Sequence, residues 1–104
     1  MQIDDLKKKL EPIFKGHKVK KAILFGSFAR NEGSRHSDID LILVQNTNLR
    51  FLDRYDGILA AISQALPAWD VDLLIYTPEE LARISGRRFI RQALEEGKTL
   101  YESD

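Results

Sequence analysis

The chain has 104 residues, 43% hydrophobic and 31% charged, with sixteen basic and sixteen acidic side chains that cancel at pH 7. That length suits one domain over residues 1–104 with a single core, and the composition is ordinary for a soluble globular protein. No apolar run approaches the roughly 20 residues of a membrane span and no signal-peptide pattern opens the chain; without cysteine there is no disulfide framework, thiolate metal site or thiol nucleophile, so a cytoplasmic protein is expected.

In chain order, Ile3, Leu6, Leu10, Ile13 and Phe14 recur at helical spacing, with Gly16 as a stop. Residues 1–21 hold seven lysines against Asp4, Asp5 and Glu11. This excess reads as a solvated helix face, since a sequence-independent nucleic-acid binder needs a stronger basic stripe with interleaved aromatics. Val19 to Phe25 is a predicted strand ending at Gly26. A short helical turn over Ala29 to Glu32 and a polar loop from Gly33 to Ser37 lead to a second strand, Asp38 to Gln45. The link is too short for a helical crossover, so these two strands should pair antiparallel.

Phe51, Leu52, Tyr55, Ile58, Leu59, Ile62 and Leu66 form an amphipathic helical pattern ended by Pro67, and Val71 to Tyr76 is a third strand. Thr77-Pro78-Glu79-Glu80 is a helix start, with Thr77 as cap, Pro78 at the first position and Glu80 closing a capping box. A last helix with Phe89, Ile90, Ala93 and Leu94 stops near Gly97, and Thr99 to Tyr101 adds a short strand. The fold expected is α/β: a small mixed β-sheet with helices packed on it.

The chemistry concentrates between Leu24 and Val44. Alternate residues of a strand share a face, so Asp38 and Asp40 project together while Ile39, Leu41 and Leu43 point the other way. Ile42 and Val44 continue the aspartate face in apolar form, which places a wet site at the strand's beginning. The pattern returns as Asp70-Val71-Asp72-Leu73-Leu74, so carboxylates from two neighbouring strands can converge. Two unit charges about 5 Å apart at an effective dielectric near 20 repel by roughly 3 kcal/mol, and a hard divalent cation removes that penalty. Gly26 lets the backbone approach a phosphate, Ser27 offers a hydroxyl and an amide, and Arg30 and Arg35 are within sequence reach of phosphate charge. Trp69, His17 and His36 read as packing or surface residues rather than as ligands.

Gly26-Ser27, ten residues and then Asp38-Ile39-Asp40, followed by a later strand carboxylate, closely resembles the nucleotidyltransferase superfamily and within it the minimal nucleotidyltransferases of prokaryotes. Gly26-Ser27-Phe28-Ala29-Arg30, Ser37-Asp38-Ile39-Asp40-Leu41 and the closing Glu96-Gly97-Lys98-Thr99-Leu100-Tyr101 extend the resemblance. It implies a nucleotidyltransferase fold, ATP as substrate and two magnesium ions. Asp38, Asp40 and Asp72 would be metal ligands and catalytic carboxylates, with Asp70 the alternative to Asp72. Gly26, Ser27, Arg30 and Ser37 would bind the nucleotide. The chain lacks the helical domain with which larger relatives select an acceptor. The resemblance therefore implies an antitoxin that transfers AMP to a tyrosine of a HEPN-type RNase toxin, and a homo- or hetero-oligomer. A catalytically idle module that neutralises its partner by occlusion is the second reading.

Overall fold

Four strands carry the architecture: β1 (Lys21–Phe25), β2 (Ile39–Val44), β3 (Val71–Tyr76) and β4 (Lys98–Glu102), in the order β3-β2-β1-β4. The structure is a computed structural model and describes residues 1–30 and 38–103. β1 pairs antiparallel with β2, as the short link requires, and antiparallel with β4, while β2 and β3 run parallel. A parallel pair needs a crossover, and here a 3₁₀ turn (Leu52–Tyr55) and a helix, α3 (Ile58–Ala65), supply it. The sheet is therefore mixed, as the element order predicts.

Strand alternation sorts the core into two layers. Leu24, Ile39, Leu41, Leu43 and Ile75 face a cluster completed by Leu6, Leu10 and Phe14 of the first helix, α1 (Ile3–Gly16), and by Ile58 and Ile62 of α3. The three α1 residues stand four apart, so they form one buried stripe, and Lys7, Lys8 and Lys9 remain exposed. Each fully buried leucine contributes about 1.5–3 kcal/mol, which is why this layer anchors the sheet. On the opposite face, Ile23, Phe25 and Ile42 meet Ile90 and Ala93 of the last helix, α5 (Arg88–Glu96). Trp69 is half-buried against Phe28, ring centroids 5.5 Å apart, so it is a packing residue.

Two local expectations need correction. The periodic run from Phe51 to Leu66 is not one helix: Gly57 adopts φ +80° and separates the 3₁₀ turn from α3. Its left-handed backbone breaks a pattern that the apolar spacing alone carries across it. A short helix, α2 (Gly26–Ala29), begins three residues ahead of the turn expected at Ala29 to Glu32, whose last two residues lie outside the described residues, as does the loop expected over Gly33 to Ser37. Its N-cap residue is Phe25, which makes no side-chain cap, so the usual signal of a helix start is missing.

The capping box before α4 (Pro78–Ile84) forms as expected: the Glu80 amide donates to Thr77 Oγ1 at 3.2 Å, and Glu80 Oε1 accepts from the Thr77 amide at 2.8 Å. Glu80 also takes a fork of two bonds from Arg54, at 2.6 and 3.0 Å. The Arg54 guanidinium is buried and donates to the Leu49 and Ile75 carbonyls as well, riveting the crossover to β3 and α4. Removing the carboxylate leaves a buried cation without its counter-charge. Glu80→Ala should lower the melting temperature by about 5–15 °C in thermal denaturation followed by circular dichroism. A change within error would remove this bridge from the list of supports.

Candidate active site

The parallel pairing of β2 with β3 sets Asp40 directly beside Asp72, and the antiparallel pairing of β2 with β1 sets it beside Phe25. Because β1 ends where β2 and β3 begin, the residues after β1 and the first carboxylates of the other two strands meet at one edge of the sheet. One carboxylate oxygen from each of Asp38, Asp40 and Asp72 lies within 4.8 Å of the others. Asp70 is outside this group and exposed, although its charge still acts on Asp38.

The crowding has an electrostatic signature. Burial, a hydrogen bond to Asp72 and the charges of Asp72 and Asp38 push the Asp40 carboxyl up to about 6, against a weaker downward pull from Arg30. Asp38 is raised too, by desolvation first and then by Asp72 and Asp70. Three clustered oxygens whose ionised forms repel one another are the donor set a hard divalent cation takes, so these residues fit such an ion.

Gly26 closes the site from the β1 side. It adopts φ +75°, and a Cβ there would collide with Asp40 Oδ2 and come 3.2 Å from its Cγ. The backbone of residue 26 therefore sits directly against the carboxylate, as a phosphate-gripping turn needs. Ser27 follows in the first turn of α2, half-buried. Arg30 ends that helix and donates to Glu96 of α5 at 2.9 Å, so it fastens α2 to α5 on the rim of the site. Ser37, Arg35 and His36 lie outside the described residues.

A cleft of about 570 Å³ opens over these groups, lined by Phe25, Gly26, Arg30, Asp40, Asp72, Leu73 and Leu74, with Phe89, Gln92, Ala93 and Glu96 forming its α5 wall. A larger groove of about 990 Å³, with His17, Gln45, Leu52 and Arg54 in its lining, lies past the far end of β2. It gathers no carboxylate triad; the acidic cluster lies at the smaller cleft. The α5 wall was not legible as part of the site. Its apolar periodicity reads as core, and only the uneven content of the stripe, an aromatic followed by an amide and a carboxylate, hints otherwise.

The chain matches the polymerase beta nucleotidyltransferase family over residues 8–104. It belongs to that family. Two proteins of Methanocaldococcus jannaschii, both provisionally named protein adenylyltransferases, are similar to it. One is 43% identical over 53 residues, covering 51% of this chain and 57% of the relative. The other is 30% identical over 86 residues, covering 81% and 80%. The chain thus spans little more than half the length of the first of these relatives. Among solved structures, a toxin–antitoxin crystallised with AMP-PNP superposes with a TM-score of 0.70 at 25% identity, over 94% of this chain and 74% of that one. A tri-AMPylated Shewanella oneidensis HEPN toxin in complex with its MNT antitoxin gives 0.66 at 21% identity, over 98% and 74%, and shares the fold. The mixed sheet of this nucleotidyltransferase is the fold of these proteins. Among the described residues no helix is long and apolar enough to cross a membrane.

Proposed function

We propose that this nucleotidyltransferase transfers AMP from ATP to a tyrosine of a partner protein, a HEPN-type RNase toxin, and so acts as an antitoxin in the cytoplasm. The observation that carries the reading is the convergence of Asp38, Asp40 and Asp72 against the backbone of Gly26. The provisional names of the relatives and the AMP-PNP held by a toxin–antitoxin neighbour support it.

In this reading Asp38 and Asp40 would hold two magnesium ions and Asp72 would complete one of them, supplying charge to neutralise the phosphates and polarise the reacting phosphorus. Gly26 and Ser27 grip the β- and γ-phosphates through backbone amides and the serine hydroxyl. Arg30 and Ser37 would add further contacts to the nucleotide, Arg30 being fastened to Glu96 as well. The acceptor oxygen bonds to the α-phosphorus as the bond to the β-phosphate bridging oxygen breaks, and pyrophosphate leaves in line. Asp72, on the exposed side of the triad, takes the proton of the attacking hydroxyl.

Incubation with α-³²P-labelled ATP, magnesium and the co-encoded partner should label the partner on tyrosine, and chelation should abolish the label. A verified partner that stays unlabelled while its toxicity is still suppressed would favour occlusion, the binding-module alternative.

A further inference from the structure

Phe89 is 59% exposed, an unusual state for a phenylalanine that lines a cleft. Its ring is held edge-on by Phe25, centroids 5.8 Å apart and planes at 86°, so its orientation is set from beneath. Phe89, Gln92, Ala93 and Glu96 are spaced i, i+3, i+4 and i+7, one stripe of α5 turned into the cleft. Glu96 of that stripe is tied to Arg30, the cation whose charge reaches Asp40. The Phe89 ring thus shares one cleft with Asp40 and Asp72 and rests on Phe25, the strand partner of Asp40.

We propose that Phe89 is the platform on which the nucleobase stacks, and that the Gln92 side-chain amide reads the base edge in favour of adenine. This rests on the nucleotide-transfer reading above and adds the base-recognition end of the same cleft. A stacked base covers an aromatic face that water otherwise wets, and base–aromatic stacking tolerates any base. Selectivity must then come from a hydrogen-bonding group. A glutamine amide presents one donor and one acceptor side by side, complementary to the N6 donor and N7 acceptor of adenine. Gln92 now donates to Glu96 Oε1 at 3.3 Å, a long bond that a base can replace. Ala93, the neighbour on the stripe, adds no bulk beside that edge.

The test uses the whole chain with magnesium and two probes, ATP and inorganic tripolyphosphate, whose binding is read by calorimetry. The parent should bind both, and Phe89→Ala should weaken ATP by about 10- to 100-fold while leaving tripolyphosphate unchanged. Phe89→Trp should restore ATP binding. Gln92→Leu should keep stacking but erase a preference for ATP over GTP. If Phe89→Ala weakens both probes equally, the ring merely supports the fold of the site; if it weakens neither, the ring faces something other than a base. Either result overturns the proposal. A parent chain that binds neither probe would instead overturn the nucleotide-transfer reading on which it rests.

Discussion

Asp40→Asn is expected to abolish nucleotide transfer, by about 10³-fold or more, while making the metal-free protein more stable at neutral pH. The two effects share one cause. The folded protein holds the Asp40 carboxyl at about 6, well above its ordinary 3.8, because burial and the neighbouring aspartates oppose its ionisation. A carboxyl raised on folding contributes stability that is fully present below pH 4 and is lost as pH rises through about 6. At pH 7.5 the metal-free fold therefore carries an ionised group it disfavours, at a cost of about 1 kcal/mol once solvent screening of a partly exposed side chain is allowed for. An amide removes that cost, so Asp40→Asn in chelator should melt about 5 °C higher than the parent at pH 7.5, the gap vanishing near pH 4. Glu80 works in a separate window: Arg54 and the Thr77 amide hold it down to about 2, so its contribution is lost only as pH falls below 4.5. Magnesium should narrow the gap by stabilising the parent more than the variant. A variant that melts below the parent in chelator would refute the electrostatic account of the triad.

Gly26→Ala is expected to cost more in nucleotide binding than in stability. The new Cβ would occupy the position of the Asp40 carboxylate, and residue 26 would have to keep a φ of +75° that alanine disfavours. The two costs together amount to about 1–3 kcal/mol of stability, and relief requires either the turn or the Asp40 carboxylate to move. Binding of magnesium ATP should fall by at least about 10²-fold, because Asp40 and the backbone amides are displaced together. Ser27→Ala is the control: it removes one hydroxyl, should leave the melting temperature within about 2 °C, and should weaken magnesium ATP by only about tenfold. Equal losses from the two variants would mean that the serine hydroxyl, not the close approach of the backbone, grips the phosphates.

Much of the site could be read from the chain because strand geometry is simple. A period of two puts Asp38 and Asp40 on one face, and the short link after Gly26 forces an antiparallel return that brings the Gly-Ser turn to the same edge. The choice between Asp70 and Asp72 could not be made that way, since both share parity. The parallel register seats Asp72 against Asp40 and leaves Asp70 ahead of the strand, so Asp72 is the one that joins the cluster. Arg54 was invisible for a different reason. A charged residue in an amphipathic stretch reads as solvated, and only tertiary packing brings Leu49, Ile75 and Glu80 around it. The α5 wall is not legible in the sequence because an aromatic at helical spacing is normally core, and exposure is decided by what packs opposite. Gly97 belongs here as well. It reads as a helix stop, yet a Cβ there would lie 2.5 Å from Ile23 Cγ2 and 2.6 Å from the Ala93 carbonyl, so it also lets α5 sit down on β1.

The ladder between β1 and β4 contains a register shift at Ala22/Ile23, whereas the β1–β2 and β2–β3 ladders run in step from end to end. Slippage by a single residue turns every side chain over, and on β3 it would swap Asp72 for Val71 or Leu73 and leave two lone carboxylates facing an aliphatic wall. The irregular pairing thus falls on the strand that adds no carboxylate to the cluster, and the alignment is strict where the three acids meet. Errors of assembly should accordingly be silent at one margin of the sheet and fatal at the other.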